Sequence, residues 1–214
     1  ALSQGKVVAW FQGRSELGPR ALGNRSILAT PAEAGMVERI NQAIKKREGF
    51  RPFAPTVLSA YAADFFEFSH PSPYMSQTVI CYPNKRAEIP AVVHVDGTSR
   101  IQTLEPEENP LYHQLISEFH QRTGLPMVLN TSFNIKGEPI VETPTDALRA
   151  FLDSDLDALA LENQWIQKRT FPSESAWDTT TPCRIDSVTS ETVADADGEP
   201  MAVHLMAYGH NFDS

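Results

Sequence analysis

Cysteines and long apolar runs are scarce in this sequence, and each shortage excludes a class of protein. Two cysteines, Cys81 and Cys183, occur in 214 residues. They lie too far apart for metal-ligand spacing and make a poor disulfide framework, so we expect a reducing, cytoplasmic environment. No apolar run approaches the roughly 18–20 residues of a membrane span, so no membrane association is expected. The first residues resemble no signal peptide, and without an initiator methionine the chain looks cut from a longer protein.

The usual signatures of covalent, metal-dependent and phosphate-loop catalysis are also missing. The sequence contains no Gly-x-Ser-x-Gly elbow, no cysteine near a histidine and no His-Glu-x-x-His motif. Neither the phosphate-binding loop with its Gly-Lys-Ser/Thr ending nor the dinucleotide fingerprint is present. We therefore expect no metal site, and any catalysis here would rest on positioning and on electrostatic stabilisation of anions.

Basic charge is in deficit overall but is unevenly distributed. The formal net charge is −9. Residues 1–100 hold 12 Lys and Arg against 8 Asp and Glu, and residues 101–214 hold 6 against 19. A nucleic-acid footprint normally needs a basic domain, so nucleic acid is not the expected partner. The basic charges of the first half fall in two short loops, which favours a small anionic ligand; an ordinary solvated surface is the alternative.

Helices and strands alternate along the first 169 residues, with hairpins between them. Strands are predicted at 7–11, 26–29, 52–58, 75–82, 127–129, 157–161 and 165–167, with a hairpin of strands 91–95 and 100–104 around Asp96-Gly97. Helices are predicted to begin at Thr30, Ser59, Pro110 and Thr143. This order predicts an α/β sheet of mixed direction. Residues 170–214 hold eight acidic residues, one arginine and eleven Ser or Thr, and are predicted to be an appended, partly ordered tail.

Two Gly- and Arg-containing loops are the first candidate binding sites. The loop at 13–26 reads GRSELGPRALGNRS, with three glycines five residues apart. Glycines let backbone N–H groups face a ligand, and arginine forks bind phosphate or carboxylate oxygens in pairs. The alternative is a tight loop whose arginines pair with Glu16 and other local acids. The segment KKREGFRPFAP at 45–55 has four cations in seven residues; helix capping explains the first three but not Arg51, which stands among aromatic residues.

Two further segments combine polar side chains with a turn or a strand end. In HVDGTSR at 94–100, Asp96 and Gly97 are explained by the turn alone, while His94 and Arg100 flank it and either could face a site. A satisfied structural histidine is the alternative for His94. In NTSFN at 130–134, amides and hydroxyls follow a predicted strand, at the usual ligand crevice of open α/β sheets. An ordinary Asx or Ser turn is the alternative.

Taken together, these four blocks resemble the C-terminal domain of NodU/CmcH-type O-carbamoyltransferases. The resemblance rests on GRSELGPRALGNRSILA, K-x-RE-x-FRPFAP, H-x-DGT-x-R-x-Q and NTSFN, in the expected order, and it extends from about residue 6 to residue 168. It implies a YrdC-like fold, a twisted mixed sheet flanked by helices, for residues 1–169. It further implies a domain that binds carbamoyl phosphate and ATP, with Mg²⁺ on the ATP, and forms carbamoyl-adenylate.

The resemblance also implies a partner and a set of site residues. A separate actin/Hsp70-like N-terminal domain would pass the carbamoyl group to an acceptor hydroxyl, and the family's iron would belong to that domain. Carried over by motif, Lys45 and Arg100 would neutralise the phosphate and Asn130 would orient the carbamoyl amide, with Arg47 and Arg51 serving the nucleotide phosphates or the departing phosphate. Ser132 and Asn134 resemble the Ser-x-Asn element of YrdC-like nucleotide sites. The loop arginines Arg14, Arg20 and Arg25 would lie near the ATP phosphates or at the seam with the other domain.

Two other functions are compatible with the same residues. A YrdC-like concave basic surface could bind RNA without catalysis, which the net charge of −9 disfavours. The isolated domain could also be inert and serve only to dock onto its partner domain. RNA binding should weaken steeply with salt, whereas binding of a small molecule should depend on salt far less. Release of pyrophosphate from ATP and carbamoyl phosphate would distinguish an active domain from an inert docking domain.

Overall fold

A nine-stranded mixed sheet forms the centre of the computed structural model, which describes residues 1–45, 53–168, 193–194 and 200–201. Contacts divide the chain into two units, Ala1–Lys168 and Arg169–Ser214. The strands of the first unit are β1 (Val8–Phe11), β2 (Arg25–Ala29), β3 (Ala54–Leu58), β4 (Phe66–Glu67), β5 (Gln77–Cys81), β6 (Thr98–Leu104), β7 (Met127–Ser132), β8 (Ala158–Leu161) and β9 (Gln164–Ile166). In the second unit, β10 (Val193–Ala194) pairs with β11 (Pro200–Met201) in an antiparallel ribbon.

The strand order is β4-β5-β6-β3-β7-β2-β1-β8-β9. Two neighbouring pairs, β3 with β6 and β1 with β8, are parallel, and the other pairs are antiparallel. The predicted α/β class with strands of mixed direction is therefore confirmed. Helices that span 14 residues at most complete the described part of the chain, and none of them is long and apolar enough to cross a membrane.

Helices cover both faces of the sheet, so each central strand buries side chains in two directions. The helix α1 (Met36–Ile40), continued by a π-helical turn (Asn41–Lys45), packs with α3 (Pro144–Leu152) on the face that receives Ala9 and Ile27. The helix α2 (Pro110–Thr123) packs on the other face against Val8, Trp10 and Leu28. Because side chains alternate along a strand, the α2 face also receives every second residue of β3, β6 and β7.

Two of the predicted helices begin where their capping residues indicate. The α2 helix starts after Asn109, whose side chain accepts a hydrogen bond from the Tyr112 N–H, and it ends at Gly124 with φ of 79°. The α3 helix starts after Thr143, which forms a complete capping box with Asp146. Both boundaries confirm the predictions at Pro110 and Thr143.

Three other local predictions are wrong. The helix expected from Thr30 begins at Met36, because the Thr30 hydroxyl caps the Ala32 N–H within a turn instead. The segment from Ser59 is a 3-10 helix that ends at Asp64 and has no side-chain cap. Residues 90–92 form a 3-10 helix rather than a strand. The antiparallel partner of β6 is therefore β5. The tight turn at Gly97, with φ of 81°, and the second strand at 100–104, which lies within β6, are confirmed, and the first strand at 91–95 is wrong.

Candidate anion-binding site

Segments of all four sequence motifs, residues 13–25, 53–55, 98–100 and 130–132, lie at one edge of the sheet. Strand β1 ends and β2 begins there, joined by the loop 12–24. In the antiparallel ladders, Asn130 of β7 lies opposite Leu28 of β2 and Ala54 of β3. Strand β6 runs parallel to β3, with Gln102 paired to Thr56. Arg100 on β6 and Ala54 on β3 each lie two residues before this pair, so they are at the same level of the sheet. The topology thus brings segments that are distant in sequence to a common edge.

Asn130 is the centre of a buried polar network on the α2 face at this edge. The side chain is 1% exposed. Its Nδ2 group has two hydrogens and three acceptors within reach: the Thr56 hydroxyl oxygen (3.0 Å), Gln102 Oε1 (3.2 Å) and the Ala21 carbonyl oxygen (3.2 Å). The Asn130 Oδ1 atom is buried and has no hydrogen-bond partner among the described residues. A buried amide oxygen without a donor is costly, so this atom is suited to accept a hydrogen bond from a ligand N–H.

Thr56 and Gln102 tie this network to the Gly- and Arg-containing loop. The Thr56 hydroxyl donates to Gln102 Oε1 at 2.7 Å, and Gln102 Nε2 donates to the Leu22 carbonyl oxygen at 3.0 Å. Neither residue was predicted to belong to the site, although Gln102 ends the H-x-DGT-x-R-x-Q motif and Thr56 is a polar residue in the apolar strand segment APTVL.

The loop 12–24 is held by its own acid and by aromatic side chains. The Glu16 carboxylate accepts hydrogen bonds from the Leu22 and Asn24 N–H groups at 2.6 and 2.8 Å. The Gly23 carbonyl accepts from Trp10 Nε1 at 2.8 Å. Gly23 has φ of 116°, and a Cβ there would overlap the Tyr112 ring, so the close approach of loop and α2 requires glycine. Glu16 therefore organises the loop backbone instead of pairing with the arginines.

Arg25 has a structural environment within this loop. It is 3% exposed, and its guanidinium lies 3.5 Å from the centre of the Phe11 ring. Its terminal nitrogens donate to the carbonyl oxygens of Gln12, Asn24, Gly13 and Glu142. Burial lowers the pKa of Arg25, while Glu142 and two other acids oppose this effect. These contacts with the terminal nitrogens compensate most of the charge, although Arg25 Nε, like Arg100 Nε, is buried without a hydrogen-bond partner among the described residues.

Arg14 and Arg20 have the opposite environment. Both are exposed, and within the described part of the chain neither guanidinium makes a hydrogen bond or ion pair. Arg20 lies close enough to Arg100 for its charge to affect the pKa of Arg100. The structure thus brings Arg20 and Arg100 together and leaves both available to an anion.

Arg100 is half-buried on the α2 side of β6. Its Nε atom is shielded from water and has no hydrogen-bond partner among the described residues. Burial, and after it the charge of Arg20, lowers the pKa of Arg100, although an arginine still remains cationic at neutral pH. A shielded cation with an unused donor is suited to bind a phosphate or carboxylate.

The turn that precedes β6 brings His94 close enough to Arg100 for the charge of Arg100 to affect its pKa. The His94 N–H donates to the Thr98 carbonyl at 2.7 Å, and His94 Nδ1 lies 3.0 Å from the Thr98 hydroxyl oxygen. Asp96 accepts from both the hydroxyl and the N–H of Thr98, at 2.7 and 3.0 Å. Burial lowers the pKa of His94; Asp96 raises it and Arg100 lowers it further.

The last sequence motif, residues 130–134, lies partly in β7 and partly in the loop that follows this strand. Asn130 is not in a loop after the strand, because β7 continues to Ser132 between β2 and β3. The Ser132 hydroxyl donates to Asn134 Oδ1 at 2.7 Å, and Asn134 Nδ2 donates to the Glu138 carbonyl at 2.9 Å. Ser132 and Asn134 therefore shape the loop that leaves the sheet edge.

The remaining predicted cations cannot be placed. Arg47 and Arg51 lie outside the described residues, and only the backbone of Lys45 is described, at the end of the π-helical turn. Within the described ranges, no group of three or more His, Cys, Asp or Glu side chains could hold a metal ion. A cavity of about 530 Å³ lies beside α2 and is lined by Leu58, Leu104 and His120. It opens at the other ends of β3 and β6, away from Arg100.

Comparison with known proteins matches the same region. The family model described as "Carbamoyltransferase C-terminus" matches residues 1–168. The nodulation protein NolNO of Sinorhizobium fredii is 49% identical over 176 residues, which cover 81% of this chain and 26% of that protein. The 3'-hydroxymethylcephem-O-carbamoyltransferase of Amycolatopsis lactamdurans is 37% identical over 168 residues, covering 78% of this chain and 32% of that enzyme.

A solved structure supports the fold. Full-length HypF, crystallised in a phosphate- and nucleotide-bound form, superposes with a TM-score of 0.52 at 17% sequence identity, over 76% of this chain and 20% of that chain. This likeness extends to the mixed α/β architecture. The chain spans about a quarter to a third of the length of the curated relatives it matches.

Proposed function

Because this chain belongs to the carbamoyltransferase C-terminal family, we propose that it binds carbamoyl phosphate and ATP and forms carbamoyl-adenylate, which an N-terminal domain then transfers to an acceptor hydroxyl. The family supports a transferase; the half-reaction is our assignment to this part of the protein. The observation that carries the proposal is a pair of buried polar atoms at one sheet edge, Arg100 Nε and Asn130 Oδ1, which have no hydrogen-bond partner within the part of the chain that the structure describes.

These two atoms match the two ends of carbamoyl phosphate. The phosphate end is an anion, which a half-buried guanidinium binds with charge-assisted hydrogen bonds worth about 1.5–3 kcal/mol each. The carbamoyl end carries an NH₂ group, which needs an acceptor. Both hydrogens of Asn130 Nδ2 are taken up by acceptors within the protein, whereas Oδ1 has no donor among the described residues and is the atom that would receive the carbamoyl N–H.

The chemistry assigned to this site has two steps. Carbamoyl phosphate loses its phosphate and leaves carbamate. A carbamate oxygen then attacks the α-phosphorus of ATP, forming carbamoyl-adenylate and releasing pyrophosphate. Arg100 and, by resemblance, Lys45 would neutralise the phosphate of carbamoyl phosphate; Arg14 and Arg20 are exposed beside the same edge and available to ATP phosphates. Roles for Arg47 and Arg51 toward the nucleotide stay predictions, and Mg²⁺ would enter bound to ATP.

The short length of the chain relative to its relatives supports the partner proposal. Free carbamate decomposes readily, so the site must protect it from water until carbamoyl-adenylate has formed and can pass to the acceptor domain. A domain that covers 26–32% of the relatives' length leaves ample sequence for a separate acceptor domain. We assign the acceptor site, and any metal it needs, to that other part.

Calorimetric titration with carbamoyl phosphate tests the assignment. Arg100→Ala should weaken binding by about 10–100-fold, which corresponds to the loss of one or two charge-assisted hydrogen bonds. Arg122→Ala is the matched control, since Arg122 is an exposed arginine in the last turn of α2. Undiminished binding by Arg100→Ala would contradict the site. Pyrophosphate release on addition of ATP and carbamoyl phosphate then separates an adenylate-forming domain from an inert docking domain.

A further inference from the structure

We propose that His94 is the general base that accepts a proton from water as carbamoyl phosphate is cleaved at this site. This inference rests on the proposed function and assigns a role to a residue that the function above does not use. It is carried by the hydrogen-bond chain from Asp96 through Thr98 to His94, and by the position of that chain next to Arg100.

The hydrogen-bond chain determines which ring nitrogen of His94 carries the proton. The Thr98 hydroxyl has one hydrogen, and it points to the Asp96 carboxylate at 2.7 Å, because an ionised carboxylate can only accept. The Thr98 oxygen therefore accepts from His94, 3.0 Å away, and Nδ1 must be the protonated nitrogen. The other ring nitrogen, Nε2, is left with a free lone pair. The ring can then gain a proton at Nε2 without rearranging the turn.

The strand geometry turns the imidazole toward the anion-binding side. Thr98, Arg100 and Gln102 alternate with buried Ser99 and Ile101, so their side chains share the α2 face of β6. A histidine in contact with the Thr98 hydroxyl is thus on the side of Arg100 and of the Asn130 network. The charged groups that act on His94 are Asp96 in its own turn and Arg100 on β6.

The environment keeps this base unprotonated at neutral pH. Burial and the charge of Arg100 lower the pKa of His94 and outweigh the opposing effect of Asp96. A neutral imidazole at pH 7 has a free lone pair and is able to accept a proton, as a general base must. A protonated His94 would have no free lone pair, so it could bind an anion but could not act as the base.

The proposed step balances without any further reactant. Water attacks the phosphorus of carbamoyl phosphate, a new P–O bond forms, and the bond from phosphorus to the bridging oxygen breaks with its electron pair passing to carbamate. The proton lost by water goes to His94 Nε2. The products are carbamate, hydrogen phosphate and the imidazolium, which returns its proton to solvent. Arg100 stabilises the charge on the phosphoryl oxygens during the transfer.

His94→Asn is the variant that separates this role from a structural one. The asparagine Nδ2 group can replace His94 Nδ1 as the donor to Thr98, so the turn is kept while Nε2 is lost. We expect carbamoyl phosphate to bind within about twofold of wild type, and phosphate release to slow by about 100-fold or more. His113→Asn is the matched control, because His113 lies on α2 near the Ser117 hydroxyl and lines the remote cavity.

The pH profile and the isotope position give independent readouts. Wild-type phosphate release should fall as the pH drops through the lowered pKa of His94, and that limb should vanish in His94→Asn; titration of the substrate phosphate affects both proteins equally. In ¹⁸O-water the label should enter phosphate. Nitrogen NMR of the free protein should show His94 protonated at Nδ1 and bare at Nε2.

The outcomes distinguish failure of the inference from failure of the proposed function. Equal phosphate release by wild type and His94→Asn, phosphate free of the ¹⁸O label, or the opposite tautomer would each overturn the role of His94 while leaving the binding site intact. A wild-type chain that binds carbamoyl phosphate but releases no phosphate would also overturn it. Carbamoyl phosphate binding that does not depend on Arg100, or the absence of pyrophosphate release with ATP, would count against the function itself.

Discussion

Arg20 and Arg25 are five positions apart in one loop, yet their guanidinium groups meet opposite environments. Arg25 is stacked on Phe11 and surrounded by carbonyl oxygens, whereas Arg20 is exposed and close to Arg100. The charge on Arg25 is thus already solvated by protein, while the charge on Arg20 is solvated only by water. A ligand anion gains more from Arg20, because no existing hydrogen bond has to be broken.

This contrast predicts different consequences of removing each charge. Arg25→Met should lower the free energy of unfolding by about 3 kcal/mol, because several buried carbonyl oxygens lose a charged donor. Arg20→Met should change it by no more than about 0.5 kcal/mol, as expected for a surface substitution, but should weaken anion binding. Urea denaturation and calorimetry measure the two effects. A stable Arg25→Met protein would contradict the structural role and restore Arg25 as a ligand for ATP phosphates.

At the scale of elements, the cap of α2 connects helix stability to the candidate site. Asn109 Oδ1 accepts from the Tyr112 N–H at 3.1 Å, and Asn109 Nδ2 donates to Asn24 Oδ1 at 2.8 Å, in the loop that carries the arginines. The cap of α3, Thr143, satisfies only its own helix start through Asp146. The two caps are equivalent for their helices but not for the loop.

Removal of these caps therefore has one shared and one distinct effect. Asn109→Ala and Thr143→Ala should each lower the free energy of unfolding by about 1 kcal/mol. Asn109→Ala alone should also weaken carbamoyl phosphate binding by severalfold, because the loop loses its anchor at Asn24. Thermal denaturation and calorimetry on both variants give the comparison. If the two variants bind equally well, the loop is not positioned through α2.

The same elements show which local signals can be read from sequence. The starts of α2 and α3 were predictable because their caps form within four residues and need no tertiary partner. The start of α1 was not, because the Thr30 segment is used elsewhere: the Pro31 carbonyl accepts a hydrogen bond from the Ala91 N–H, 60 positions away. The pairing of β6 with β3 and β5 likewise depends on contacts between distant strands, which a strong Asp-Gly turn signal cannot anticipate.

The candidate site was predictable in composition but not in geometry. Arg100 and Asn130 were singled out from their motifs, but the burial of Asn130 within β7 depends on its neighbours on β2 and β3. Thr56 lies in the apolar segment of β3 and Gln102 among the polar residues of β6, and their common role appears only when Asn130 of β7 is placed beside them. Networks of this kind are formed by topology, and a sequence pattern with a period of two does not reveal them.

For the whole molecule, the distribution of charge decides between a small ligand and a polymer. The basic first half and the acidic second half sum to −9. Within the described residues, Arg14, Arg20 and Arg100 are available to an anion at the sheet edge, and Arg25 is already paired. A chain of negative net charge favours a compact dianion over a nucleic-acid backbone, which needs an extended basic surface.

Salt dependence tests this conclusion on the intact chain. A protein that neutralises 6–10 phosphates of a nucleic acid loses about 10³–10⁵-fold in affinity between 50 and 200 mM salt. Carbamoyl phosphate held by a half-buried Arg100 should lose less than about tenfold, because buried pairs are screened much less than exposed ones. Calorimetry at both salt concentrations measures the small ligand, and fluorescence polarisation of a single-stranded RNA measures the polymer. Tight, steeply salt-dependent RNA binding that Arg14→Ala and Arg20→Ala abolish would identify an RNA-binding surface and overturn the small-molecule assignment.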